Sequence, residues 1–309
     1  MQKICIAIIT YKRPLGLKKL LNILKLQELN NNILSIIVVD NDATGKNTDI
    51  VEELKKDNYP FELNLFVEKK RGIVAARNRT VEEFLKTDIE YFIFIDDDEW
   101  PVSNDWVLKL IEAQEMTNAD IVYSDVSIIP ESEEIAWAKD AFRVQNSESN
   151  IVSIKKYFTN NLLIMRKVLE NMHPLFDERF AMTGSSDLHF SIKANNLGYK
   201  AYYTPYAPVE EVFPLSRATY KWFFLRGYRI GDGSVRANIY EGTFPKIYIH
   251  IIILILGRFV RALQMFFKSL FTFRKSYFLR GIIYFGASIG SIVGLFGLKY
   301  NEYNNTHGE

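Results

Sequence analysis

Asp96, Asp97 and Asp98 stand in a row within the stretch FIFIDDDEW (92–100), directly ahead of Glu99. Adjacent carboxylates repel one another, and at a partly buried strand end their pKa values rise unless a cation compensates. In extended backbone, side chains at i and i+2 share a face, so this spacing aims Asp96 and Asp98 at one ligand and Asp97 elsewhere. A hard divalent ion, Mg²⁺ or Mn²⁺, suits such a pair. It accepts few protein carboxylates and fills its shell with water and phosphate oxygens, which implies a diphosphate ligand. The same residues also fit a solvated acidic turn at the start of the next helix.

What positions the aspartates is an alternation of apolar runs and helical repeats. Ile4 to Thr10 forms a β-rich run, and Leu17, Leu20, Leu21 and Leu24 follow Pro14 at helical spacing. The pattern returns as ILSIIVVD then TDIVEELKK, FELNLFV then IVAARNRTVEEFLK, and YFIFIDDDEW then a helix near Trp106 to Thr117. Four such units predict an α/β protein whose mainly parallel sheet has helices on both faces and ligands beyond the carboxyl ends of its strands. Those ends carry Thr10 and Tyr11, then Asp40, Asn41 and Asp42, then Asp96 to Asp98. Farther on, IVYSDVSII, FTNNLLIMRK and YKAYYTP read as strands, residues 130 to 150 as a polar loop, and SSDLHFSIKANNLG as a helix closed by Gly198. No glycine-rich phosphate loop follows the first strand.

A chain of 309 residues, 48% hydrophobic and 24% charged, buries a sizeable core and is no disordered segment. Its net charge of +1 gives no general attraction to nucleic acid, and no nucleic-acid partner is expected. The single cysteine, Cys5, lies in an apolar run and reads as a small buried residue. The N-terminal MQKICIAIITYKRP does not resemble a signal peptide, which places the first domain in the cytosol.

Charge is uneven in the tail. From Arg217 to Arg280 basic residues are scattered among aromatics and aliphatics, opposed only by Asp232 and Glu241. The run IYIHIIILILG is too short alone for a span of roughly 20 residues, whereas Gly281 to Leu298 is uncharged but glycine-rich. This mixture favours a helical segment lying in or re-entering an anionic membrane face over a spanning helix or a buried soluble subdomain.

The stretches IAIITYKRPLGLKKLL, IIVVDND, GIVAARNR, FIFIDDDEW and TGSSDLHF together resemble, in order and spacing, the family 2 glycosyltransferases. The resemblance covers roughly residues 3 to 230, and PVEEVFPLSRATYKWFFLRGYRIG is most similar to bacterial exopolysaccharide enzymes, including succinoglycan-type glucosyltransferases. It implies a GT-A fold and an inverting, metal-dependent transfer from a nucleotide-sugar donor, with UDP as the expected nucleotide. The acceptor it implies is a saccharide or lipid-linked saccharide at the cytoplasmic face of the inner membrane. On this resemblance residues 1–118 form the donor-binding half, 119–235 the acceptor-binding half, and 236–309 a basic, hydrophobic, membrane-associated tail.

The resemblance also distributes roles. Thr10 and Tyr11 would line the nucleoside pocket, Asp40 would accept from the base, and Arg77 would lie near base or diphosphate. Asp96 would face ribose and metal, and Asp98 would be the principal metal ligand, with Asp97 left among the donor-facing residues without a defined role. Asn161 would line the donor-sugar pocket, Glu210 would add to the metal shell, and Arg226 and Arg229, with Arg217, would fold over the diphosphate. Asp187 would be the base, in GSSD where relatives carry an acidic pair, so that Ser186 replaces the usual Glu. His189 reads as structural. A rival reading is a catalytically inactive, membrane-associated nucleotide-sugar binder, in which Ser186 marks decay of the acceptor half.

Overall fold

The computed structural model describes residues 1–297 apart from 43, 45–46 and 143–148. Leu298 and the rest of the expected tail, like residues 143–148 of the expected loop, lie outside the described residues. The first half follows the predicted alternation: β1 (Lys3–Thr10), α1 (Pro14–Leu24), β2 (Ile33–Asp40), α2 (Thr48–Lys56), β3 (Glu62–Val67), α3 (Ile73–Leu85) and β4 (Tyr91–Asp96). These strands lie parallel in the order β3-β2-β1-β4. The period of two sorts their side chains. Cys5, Ala7, Phe92 and Phe94 face the helix α3, while Ile4, Ile6, Ile8, Ile93 and Ile95 face α1 and the later helix at Trp106. Each fully buried Ile or Phe among them contributes about 1.5–3 kcal/mol, so both sheet faces are fixed by the apolar runs themselves.

Beyond β4 come β5 (Glu99–Pro101), α4 (Trp106–Thr117), β6 (Ile121–Pro130), α5 (Ala138–Ala141), β7 (Val152–Ser153), β8 (Asn161–Met165), α6 (Arg166–Asn171), α7 (Ser186–Asn196) and β9 (Ala201–Phe213). The sheet continues from β4 through antiparallel β8, then β6, β9 and β5, with β7 also paired to β9. It is therefore mixed, and its long ladders are the parallel ones. Three local expectations change. The fourth βα unit is interrupted, because Asp97 and Asp98 form a turn and Glu99 starts β5. The last strand runs on for 13 residues, so Glu210 and Glu211 sit inside β9 rather than after it. The expected polar loop contains the short helix α5.

The described residues end in three long helices: α8 (Tyr220–Glu241), capped by the Thr219 side chain accepting from the Trp222 N–H, then α9 (Lys246–Thr272) and α10 (Lys275–Leu295). α8 passes straight through residue 235, so the expected boundary at 235/236 falls within a helix. It packs against α10 backbone to backbone. A Cβ at Gly231 would stand 2.1 Å from the Ala287 carbonyl oxygen, and one at Gly290 2.0 Å from that of Tyr228. α9 carries the short apolar run onward through Arg258, Arg261 and Lys268 as one helix of 27 residues. Both α9 and α10 are long and apolar enough to cross a membrane, but only 11% of the most apolar window of α9 is buried, against 44% in α10.

Candidate active site

The carboxyl ends of β1, β2 and β4 bring the expected clusters to one edge. Thr10 is buried, and its Oγ1 donates to Asp97 Oδ2 at 2.7 Å. Arg13, in the turn after β1, spans the carboxylates, with Nη1 3.0 Å from Asp97 Oδ1 and 2.7 Å from Asp98 Oδ2. Asp97 is thus tied to the protein's own first strand. Burial pushes its pKa up to about 7 against the opposing pull of Arg13. Thr10 is correspondingly committed to Asp97 rather than open to a nucleoside, and Tyr11 remains partly exposed beside it. The extended geometry from which a shared face was expected for Asp96 and Asp98 is replaced by the turn, yet both side chains stay 31% exposed in the cleft.

Asp40 is wholly buried at the end of β2. Its Oδ1 accepts from the Asp42 N–H at 2.8 Å, while Oδ2 has no hydrogen-bond partner among the described residues. Burial raises its pKa, opposed by the Asp42 N–H and the Asn47 side chain beside it. A buried acceptor without a donor is costly, and an imino N–H of a base is a donor that would relieve it.

Arg77 reaches the same edge from α3. It is buried, with Nη2 3.7 Å from Asp96 Oδ1, Nη1 3.4 Å from Ser186 Oγ, and Nε without a hydrogen-bond partner among the described residues. Asp187 follows Ser186 in the first turn of α7, whose Ser185 cap takes the left-handed conformation at φ 69°. Asp187 Oδ1 accepts from the Leu188 N–H at 2.8 Å, as acidic residues do at helix starts. Its charge also bears on Asp96: burial raises the Asp96 pKa most, Arg77 opposes, and Asp98 and Asp187 add to the rise. Arg77 thus links Asp96 at the end of β4 to Ser186 at the start of α7, next to Asp187. His189 stays structural, stacked on Phe180 with Nε2 2.8 Å from Glu241 Oε1.

Two expected positions have neighbours that also bear on the cluster. Asn161 is fully buried and spent on the fold: its Nδ2 donates to the Asp125 and Ala207 carbonyls and its Oδ1 accepts from Trp106 Nε1. Its neighbour Asn160 instead donates to Glu99 Oε1 at 3.1 Å and keeps a buried, unpartnered Oδ1. Likewise Glu210 pairs in register with Trp100, whereas Glu211 pairs with Glu99. Alternation puts Glu210 and Glu211 on opposite sheet faces. Glu211 is the one exposed to the aspartates, because burial and then Asp98 raise its pKa, opposed by Arg217 and Arg226. Glu99, missed in the sequence, is buried with Oε2 unpartnered, and burial, Asp96, Glu211 and Asp98 hold its pKa well above the carboxylate range.

The basic-aromatic stretch frames this cluster. Arg217 bonds Glu211 at 2.9 Å, and Arg226 on α8 lies over the Phe142 and Trp222 rings at 5.2 and 5.3 Å. Arg229 follows one turn on, partly buried.

Residues 5–181 match the family described as glycosyl transferase family 2. The chain belongs to this family. The family 2 chain is 26% identical over 300 residues, 96% of its length and 94% of the relative's, to the succinoglycan biosynthesis protein ExoM of Rhizobium meliloti (strain 1021). Its fold is that of solved glycosyltransferases. A mannosyltransferase, PcManGT from Pyrobaculum calidifontis in complex with GDP-Man and Mn2+, superposes with a TM-score of 0.67 at 15% identity, covering 95% of this chain and 87% of that one. TarS 1-349 of S. aureus in complex with UDP gives 0.55 at 12% identity, covering 100% and 95%.

Among the described residues of this family 2 enzyme, no three His, Cys, Asp or Glu side chains are grouped so as to hold an ion alone. The donor set fits an ion bound through few carboxylates. Asp96 and Asp98 are reachable from the cleft, where Asp96, Asp98, Glu99 and Glu211 crowd together beside Arg13, Arg77, Arg217 and Arg226.

Proposed function

We propose that this glycosyltransferase moves a sugar, with inversion, from a UDP-linked donor to a lipid-linked saccharide in surface polysaccharide synthesis at the cytoplasmic membrane face. The observation that carries it is Arg77, whose guanidinium lies 3.7 Å from Asp96 Oδ1 and 3.4 Å from the Oγ of Ser186, the residue before Asp187. Asp40, whose Oδ2 has no hydrogen-bond partner among the described residues, receives the base, and Arg77 and Arg226 face the diphosphate. Asp187 takes the proton of the acceptor hydroxyl as that oxygen bonds to the anomeric carbon from the side opposite the diphosphate. The bond from that carbon to the diphosphate oxygen breaks with its electron pair on the leaving group, which the arginines stabilise. Mg²⁺ or Mn²⁺ held by Asp96 and Asp98, with Glu211 in place of Glu210 nearest to them, would supply further charge stabilisation there.

For the tail, geometry favours lying along the membrane over crossing it. Arg258, midway along α9, donates to Ser234 on α8 at 2.9 Å, and the adjacent Gly233 packs against Ser185 beside the base. A crossing α9 would carry this catalytic flank toward the bilayer centre, where charges are expensive.

A donor screen by nucleotide release, with membrane extract as acceptor and mass analysis of the glycolipid, tests the function. A single UDP-sugar with a lipid-borne product is expected; nucleotide binding with no transfer to any acceptor would overturn it in favour of an inactive binder.

A further inference from the structure

The exposed surface of α9 is not random. Ile249, Ile252, Ile253, Leu256, Phe259 and Leu263 recur three or four residues apart and are all exposed, forming one apolar stripe. The opposite face meets α8 and α10, through Ile251, Ala262 and Arg258. Arg258 donates to Ser234 of α8 and to Ser291 of α10, which fixes its guanidinium in place. Arg261 lies on the same helix at i+3, where side chains are neighbours.

A third cation arrives from the enzyme's core. Lys156, in the connection between β7 and β8, keeps an exposed side chain, and its pKa is lowered first by the crowding of surrounding protein and then by the charges of Arg258 and Arg261. Among the described residues none of the three forms an ion pair with a carboxylate. Such a gathering is costly until an anion joins it. A general attraction to an acidic bilayer needs only cations spread along a polar face, each contributing about 1 kcal/mol. Three that converge from two separate elements match a compact anion bearing more than one charge.

We propose that Lys156, Arg258 and Arg261 hold the phosphate or diphosphate headgroup of the lipid to which the saccharide acceptor is joined, with its chain along the apolar stripe of α9. This rests on the lipid-linked acceptor of the proposed function and adds the place where that acceptor is anchored. The location suits the task. Ser234, which grips Arg258, follows Gly233, which touches the Ser185 cap of the helix carrying Asp187. Anchor and base are thus joined through one segment of α8.

The test uses the full chain and two sets of phosphatidylcholine vesicles of equal negative charge, one containing a polyprenyl phosphate and the other phosphatidylglycerol, compared by flotation. The wild type is expected to bind the first about tenfold more tightly or better, as charge-assisted contacts to a doubly charged phosphate require. The exposed pair Lys156→Gln/Arg261→Gln is expected to erase that preference, leaving Arg258 in its structural role. Lys268→Gln, on the same helix outside the cluster, should weaken binding to both vesicles alike. Equal binding of the wild type to the two vesicles, or a preference retained by the double variant, overturns the proposal. UDP binding measured by calorimetry on the same samples separates this outcome from failure of the transferase reading, because loss of nucleotide binding in the wild type would count against the latter alone.

Discussion

Gly233 and Ser185 touch so closely that a Cβ on the glycine would stand 1.9 Å from the serine Oγ. The contact joins α8 to the left-handed cap of α7, two residues before Asp187. Gly233→Ala must push the cap or the helix aside, and a displacement of the base near 1 Å costs about 10²-fold in rate. The expected result is that loss in turnover with UDP affinity unchanged by calorimetry; an unaltered rate would show that the turn relaxes without moving Asp187.

Asp187→Asn and Asp98→Asn should separate the two sides of the cleft. The first removes a proton acceptor, lowering turnover about 10²–10⁴-fold while leaving donor binding intact. The second should lower turnover and also weaken the gain in nucleotide affinity on adding Mn²⁺. Equal metal-dependent binding in both variants would contradict the assignment.

Arg13→Gln leaves Asp97 and Asp98 without their shared cation. Burial already places the Asp97 pKa at about 7, above its ordinary 3.8, so the folded state gains from the bound proton at low pH and that gain is lost as pH rises through about 7. Without Arg13 the ionised form is still less favourable. The variant should therefore lose about 1–3 kcal/mol at pH 8 and less at pH 6, read from urea midpoints.

His189 shifts the other way. Burial lowers its pKa from 6.5, against the pull of Glu241. The unfolded chain then binds more protons just below pH 6.5, so stability falls as pH drops from there toward the folded pKa. His189→Asn should flatten that slope in thermal melts between pH 7.5 and 5.5, and a parallel pair of profiles would refute the account.

Asn161→Ala should lower stability by about 1–3 kcal/mol, since it orphans Trp106 Nε1 and two carbonyls. The KM for the donor should stay unchanged in steady-state assays; a selective rise in KM would restore Asn161 to the donor pocket.

Much of this was legible in the residues. β1 to β4 and their helices were readable because continuous apolar runs and helical leucine spacing are local signals, and the strand ends then had to carry Asp40 and Asp96. Glu99 and Glu211 were not, because their meeting depends on a turn at Asp97–Asp98 and an antiparallel pairing between β5 and β9, far apart in sequence. Asn161 and Glu210 were placed by resemblance alone, and because neighbours along a strand point to opposite faces, an offset of one residue exchanges the side a group presents. Arg13 carried a weak signal, the second of two adjacent cations, Lys12 and Arg13, ahead of Pro14 just beyond a strand end. The alternation of cations and apolar residues after 246 was visible, but the approach of Arg258 and Arg261 to Lys156 was not, since it depends on how α9 packs against α8 and α10.

The seam between α8 and α10 changes what a truncation can teach. Gly227, Gly231, Gly286 and Gly290 each have an opposing backbone atom within 2.4 Å of where a Cβ would sit, so α10 fills notches that no side chain of α8 closes. A chain cut after Glu241 would open those notches along the helix that braces Asp187. Its inactivity would mix a loosened catalytic centre with loss of the proposed lipid contact. Point substitutions on the outer face of α9 leave the brace whole and report on the lipid alone.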